Sequence, residues 1–341
     1  MRIERSPSKI LLNKGFVQEM ALLSHNVYGE WIGSKCPMQR DRERNEKQVR
    51  ERRFQGGIDL HAHTTASDGD RSPTELVQLA KELGLAAVAV TDHDTVEGVE
   101  EALEAGQRYG IEVIPGIEIS AVIDKGQCHL LGYFIDPANA QLRERLGVLR
   151  AARDARNRAL VERLNQMGIP ITLQAVAQEA QGELLARPHF AKVMVKLGVV
   201  SSVQEAFDRY LADGVLPGIS KEKLPPEEAI ALIHQAGGVA VLAHPNHLRR
   251  SPEAIEAQIR CYQAMGLDGI EARYSAHTPE DTARYLALAE RLGLLTTGGS
   301  DFHGYSVKPQ VHLGHVEGDR PAPYALLEPL RLCAEQHQTA C

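Results

Sequence analysis

Seven apolar runs of strand length, most of them separated by amphipathic helical stretches, constrain this chain more than any other feature of its sequence. They are IDLH (58–61), AAVAVTDH (86–93), EVIPGIEIS (112–120), QCHLLGYFI (127–135), GVAVLAH (238–244), DGIEAR (268–273) and LLTTGGSDFH (294–303). Several of the intervening helices have legible starts. In SPTELVQLAKELGL, Ser72 is placed as N-cap, Pro73 at the first helical position and Glu75 closes a capping box, while Leu76, Leu79, Ala80 and Leu83 share one face. PEEAIALIHQAGG and TPEDTARYLALAERLGL repeat the pattern, each closed by glycine. Strands alternating with helices predict an α/β fold with parallel strands, in a barrel or a doubly wound sheet.

Three segments depart from that alternation. Residues 1–56 contain the mixed-charge run QRDRERNEKQVRERRFQGG, expected as a solvated or disordered extension. Residues 137–219 read as helices without a clear strand, rich in arginine, and are expected to be a helical insertion between two barrel parts, 57–136 and 220–320. Residues 321–341 are expected as a C-terminal tail. Within the insertion, Arg153, Arg156 and Arg158 are expected on a solvated helix face, and Lys221 beyond it is left open.

With 341 residues, 43% of them hydrophobic, the chain can bury a sizeable core. No long uncharged apolar run or signal-peptide pattern is present, so no membrane association is expected and the cytoplasm is the default location. Five scattered cysteines without a CxxC pair indicate neither a disulfide framework nor a zinc ribbon. A net charge of −7 argues against a general polyanion-binding surface, so any phosphate must be met locally.

Fourteen histidines gain meaning from where they fall. The first strand ends in His61 and His63, followed by Asp68; the second ends in Asp92 and His93; the third carries Glu118. His129 lies on the fourth, His244 ends the fifth, and Asp301 and His303 end the last. Two imidazoles on one strand face are either neighbours in a polar cluster or ligands of one metal, and each acid has a structural alternative: Asp92, for instance, could hydrogen-bond loop backbone. Gathered at one barrel mouth, so many ionisable groups would cost several kcal/mol for each unpaired charge without a compensating cation. A metal cluster is therefore expected, and imidazole with carboxylate suits Mn, Fe or Zn.

In this order HxH (His61, His63), DH (Asp92, His93), GxE (Gly116, Glu118), the HLLG histidine (His129), AHP (His244) and SDFH (Asp301, His303) resemble the motifs of the polymerase and histidinol phosphatase family, PHP. The resemblance implies a distorted seven-stranded (β/α)7 barrel. SDG, GIEIS, ARPHFAK and GSDFH further resemble the bacterial branch of 3′,5′-nucleoside bisphosphate phosphatases and 5′ exoribonucleases. By that resemblance His61, His63, Glu118 and Asp301 hold one metal, Glu118 bridges to a second completed by His129 and His244, and Asp68, His93 and His303 hold a third. Asn246 and His247 stand where close relatives often have glycine after AHP, which touches base or sugar recognition.

The expected reaction is phosphate-ester hydrolysis, in which hydroxide held by two or three divalent ions, Mn foremost, attacks phosphorus. Asp301, His303 and Glu118 would be catalytic, with Arg187 and His189 of ARPHF as a clamp for substrate phosphate. The expected substrates are nucleoside 3′,5′-bisphosphates and short 5′-phosphorylated RNA, with no stable protein partner. The alternatives are a histidinol phosphate phosphatase, a non-catalytic metal-binding module, and an RNA-binding adaptor using the arginine-rich insertion.

Overall fold

A computed structural model describes residues 54–180, 185–212, 214–219 and 222–340. Lys221 and nearly all of the charged N-terminal segment lie outside the described residues. Seven strands form one sheet in sequential order: β1 Ile58–Asp59, β2 Ala87–Val90, β3 Glu112–Ala121, β4 Cys128–Tyr133, β5 Val239–Leu242, β6 Gly269–Tyr274 and β7 Leu295–Gly299. Ten α-helices occur among the described residues: α1 Pro73–Leu83, α2 Val99–Tyr109, α3 Ala140–Gln166, α4 Leu173–Glu179, α5 Arg187–Lys196, α6 Val203–Ala206, α7 Pro226–Gln235, α8 Pro252–Ala264, α9 Pro279–Leu292 and α10 Leu327–Ala340. The expected capping box opens α1, with Ser72 Oγ accepting from Glu75 N and Glu75 accepting from Ser72 N.

The sheet rolls into a nearly closed barrel. Past β1 and β7 the chain continues the pairing, with Leu60 N donating to Gly298 O, Asp301 N to His61 O and His63 N to Phe302 O. Gly299 makes this approach possible, because a Cβ there would meet His61 N at 2.6 Å.

The expectation of parallel strands fails at β4, which pairs antiparallel with both β3 and β5. Residues 122–127, between β3 and β4, span six positions, which suffices for a hairpin but not for a crossover of a dozen or more residues. The reversal has a functional consequence. His129 sits near the start of β4, opposite Ser120 near the end of β3, and so still arrives at the mouth formed by the carboxyl ends of the other strands.

Alternation along the strands sorts the core. Ala87, Ala89, Ile114, Leu131, Tyr133, Val239 and Val241 join one buried cluster, while Val88, Val90, Ile117, Ile119, Leu130, Ala240 and Leu242 pack with the surrounding helices. The segment expected as a C-terminal tail carries α10, whose Leu327, Leu330 and Ala334 complete the first of these clusters.

Helix α3 is about 40 Å long at the usual rise per residue. Leu142, Leu146 and Leu149 near its start pack with the barrel's helices, whereas Leu160 and Leu164 join Phe190, Met194 and Leu211 in a separate apolar cluster of the insertion. Arg153 and Arg156 correct the expectation of a solvated face: both are buried, on the same helical stripe as those leucines. Arg153 Nη2 lies 2.7 Å from Asp94 Oδ2, and Asp94 in turn accepts from Ser120 N at 2.8 Å. A buried ion pair therefore ties the insertion to the end of β3. Removing one partner of such a pair costs about 3–5 kcal/mol, since the other charge is left without compensation. Arg153→Met is expected to lose stability on that scale in urea melts, with Arg153→Met/Asp94→Asn recovering part of it; a neutral single variant would show that the pair is not a tether.

Candidate metal centre

Glu118, wholly buried on β3, is ringed by five imidazoles. Its Oε1 lies 2.8 Å from His129 Nδ1 and 3.0 Å from His244 Nε2. Its Oε2 lies 2.9 Å from His93 Nδ1, 3.2 Å from His63 Nε2 and 3.3 Å from His61 Nε2. Asp301 Oδ1 stands 3.2 Å from His63 Nε2, 3.3 Å from His303 Nδ1 and 3.6 Å from His61 Nε2. Asp68 Oδ1 closes the cluster at 3.3 Å from His303 Nε2 and 4.0 Å from His63 Nδ1.

The donors fall into overlapping groups that could each hold an ion: His61, His63, Glu118 and Asp301; His63, Asp68, His93 and His303; and His93, Glu118 and His129. His61 Nε2, both nitrogens of His63, His93 Nδ1 and Glu118 Oε2 are buried without a hydrogen bond. Such atoms each cost about 1–3 kcal/mol when left without a partner, and a cation among them supplies one. The residues present therefore fit divalent metal, in a donor set of imidazole and carboxylate.

The electrostatics keep the carboxylates in their ligand form. Burial alone would raise Glu118, but His93, His129 and His61 outweigh it and hold the group well below the usual carboxylate range. Asp68 is lowered against burial by His303 and His93, and Asp301 by Lys308 and His303. Burial pushes His93 down to about 4, whereas, against burial, the carboxylates beside them raise His61 and lift His63 to about 9, so a metal bound there displaces protons.

A second layer fixes the orientation of these ligands. Glu271 Oε1 takes a hydrogen bond from His61 Nδ1 at 2.9 Å, which leaves Nε2 for a metal, and Glu271 Oε2 accepts from His244 N at 2.7 Å. Tyr274 OH and Lys308 Nζ both donate to Asp301 Oδ2, at 2.9 and 2.7 Å, so that Oδ1 faces the histidines. Asp92 accepts from Thr64 N and Thr64 Oγ1, both at 2.7 Å, and from Ser67 Oγ, shaping the loop that carries Asp68. His244 and Asp301 adopt φ of 26° and 60°, a strain of about 1–3 kcal/mol each that only a well-supported site sustains.

The PHP domain model matches residues 59–141. The chain is 36% identical to the 5′-3′ exoribonuclease Rnm of Escherichia coli K12, over 72% of its own length and 84% of that protein's. It is 35% identical to the 3′,5′-nucleoside bisphosphate phosphatase of Chromobacterium violaceum, over 72% of its own length and 87% of that one's. This chain belongs to the PHP family. A crystal structure from Bifidobacterium adolescentis, described as a metal-dependent phosphoesterase, superposes with a TM-score of 0.72 at 36% identity, covering 82% of this chain and 96% of that one. The protein is a phosphoric ester hydrolase that uses divalent metal.

In this PHP barrel all nine residues expected as metal ligands come together: His61, His63, Asp68, His93, Glu118, His129, His244, Asp301 and His303. The expected phosphate residues occupy α5. His189 is buried, its Nδ1 accepting from Ala186 N at 3.1 Å, and burial pushes it down to about 4 against the pull of Asp68. Arg187 Nη2 reaches the Ile219 carbonyl at 3.5 Å. Asn246 is committed to structure, bonding Asp281 and Tyr285 of α9, while the His247 ring lies 4.1 Å from that of His244.

Sequence reasoning does not find Glu271, Tyr274 and Lys308. Glu271 left a signal, as an acid between Ile270 and Ala272 in an apolar strand; the others left none. Glu271→Gln is expected to weaken metal binding by roughly 10–100-fold in competition with a fluorescent chelator, because the imidazole it orients loses its anionic partner. Unchanged affinity would show that Glu271 does not set His61.

Proposed function

We propose that the metal centre removes phosphate from nucleoside 3′,5′-bisphosphates and, with a longer occupant, hydrolyses short 5′-phosphorylated RNA. The observation that carries this reading is the placement of α5. Its Lys192 feels the carboxylates of Asp70 and Asp68, which oppose the lowering caused by burial, and His189 feels Asp68. Helix α5 thus brings a cation and an imidazole within electrostatic reach of Asp68 and Asp70. Arg187, in the first turn of the same helix, adds a guanidinium suited to bidentate phosphate contact, and the helix N-terminus favours an anion. A substrate with one phosphate to be cleaved and another to be held matches a site with two such parts. The names of the Escherichia coli and Chromobacterium violaceum relatives agree with this reading.

Two or three divalent ions, Mn foremost, would neutralise phosphoryl oxygens and lower the pKa of water toward neutrality. The chain's own contribution is positional: Glu118 and Asp301 hold fixed negative charge at the centre, His303 stands between Asp301 and Asp68, and Lys308 pins Asp301 from behind. Among the described residues Cys128, Cys261 and Cys333 are free thiols, which fits a reducing compartment such as the cytoplasm. No helix among the described residues is long and apolar enough to cross a membrane.

The protein loaded with Mn is expected to release phosphate from adenosine 3′,5′-bisphosphate in preference to histidinol phosphate, and Asp301→Asn to abolish that release. Lys192→Ala should raise KM for the bisphosphate more than it lowers kcat. Turnover of histidinol phosphate alone, or of neither compound nor of 5′-phosphorylated RNA, would overturn the proposal.

A further inference from the structure

A second convergence of metal-type donors lies at the opposite end of the barrel, where β6 begins. Asp268 immediately precedes that strand, and its Oδ2 accepts from Ala240 N at 2.7 Å, which fixes the carboxylate against the start of β5. His234, in the last turn of α7, brings Nε2 to 2.8 Å from Asp268 Oδ2. His337 of α10 brings Nε2 to 3.2 Å from Oδ1 of the same carboxylate, and the two imidazoles stack with centroids 4.2 Å apart and planes 19° from parallel. Cys333, one helical turn before His337 and so on the same face of α10, places Sγ 3.6 Å from His337 Nε2.

Thiol, two imidazoles and a carboxylate, drawn from three elements distant in sequence, form the donor set of a closed tetrahedral zinc site. Bond lengths of that kind separate neighbouring ligand atoms by roughly 3.3–3.8 Å, close to the 3.2 Å between His337 Nε2 and Asp268 Oδ1 and the 3.6 Å between Cys333 Sγ and His337 Nε2; the two stacked imidazoles must rotate out of parallel for one ion to lie in both ring planes. His234, Asp268 and His337 each offer a ligand atom within 4.8 Å of the others. All are partly buried, which leaves an entry path while limiting water at the ion. Oxygen and nitrogen donors dominate the barrel mouth, and none of its ligands is a cysteine; the thiol makes this second cluster softer and more selective for zinc.

We propose that His234, Asp268, Cys333 and His337 form a structural Zn2+ site that clamps α10 to the floor of the barrel. Binding converts the Cys333 thiol to a thiolate ligand, and its proton leaves to solvent. The ion ties α7, β6 and α10 together where Leu327, Leu330 and Ala334 close the interior cluster, so occupancy stabilises the barrel from the end remote from the chemistry.

Cobalt separates this site from the barrel mouth, because thiolate ligation gives an intense near-ultraviolet charge-transfer band that imidazole and carboxylate cannot produce. Full-length protein stripped by chelator and titrated with Co2+ is expected to develop that band, and Cys333→Ser to lose it. Elemental analysis after loading with Zn2+ should fall by one ion per chain in Cys333→Ser and in His337→Ala. Far-ultraviolet circular dichroism confirms that both variants are folded. Absence of the band in the wild-type protein at saturating Co2+, its survival in Cys333→Ser, or an unchanged zinc count in both variants would overturn the site and leave the four residues as a hydrogen-bonded tether.

Discussion

The burial of Glu118 is the constraint on which the rest of the molecule turns. A carboxylate removed from water is tolerable only where positive charge or hydrogen-bond donors surround it. Here five imidazoles do so, but several of their nitrogens, and Glu118 Oε2 itself, have no hydrogen bond to satisfy them. The cluster is therefore incomplete as a network of side chains and complete as a set of ligands. Closing the barrel brings His61 and His63 to Asp301 and His303; reversing β4 brings His129 to Glu118. Each topological choice serves that one carboxylate.

Rigidity of the centre comes from residues that do not belong to the ligand set. Glu271 orients His61 and anchors the backbone of His244, Tyr274 and Lys308 aim Asp301, and Asp92 shapes the loop bearing Asp68. Positive φ at His244 and Asp301 indicates that their backbone is bent to deliver side chains, at an energetic cost the surrounding hydrogen bonds offset. The Arg153–Asp94 pair extends the same logic outward: it fixes α3, and through it the insertion, to the loop beside Glu118.

Sequence and structure agree where one local rule governs. Seven apolar runs became seven strands, because run length and flanking helix caps are local signals. Eight of the nine ligand candidates are legible because each ends or interrupts an apolar run, or follows it directly, with an ionisable group that such a position rejects unless it has a use; Asp68, on the loop beyond, is legible only by its place in the motif order. The misses have physical causes as well. The direction of β4 depended on counting the residues available for a crossover, not on the strand's composition. Charge alone puts Arg153 and Arg156 on a solvated face, whereas their spacing from Leu149 and Leu160 puts them on the buried stripe. Tyr274 and Lys308 reach Asp301 only through the folded shape of β6 and the loop after β7, and no spacing rule anticipates that.

Two ends of one barrel thus solve different problems with similar side chains. At the mouth, donors outnumber what a single ion requires and form overlapping groups, the arrangement expected where charge must be neutralised on a substrate that comes and goes. At the floor, four donors converge from three elements with nothing to spare, and one of them is a thiol. A catalytic centre must leave positions to substrate and water, whereas a structural one is best filled by protein alone. The ligand arithmetic therefore assigns chemistry to the mouth and support to the floor before any activity is considered, and it explains why α10 carries Cys333 and His337 on the face that its apolar residues turn toward the barrel.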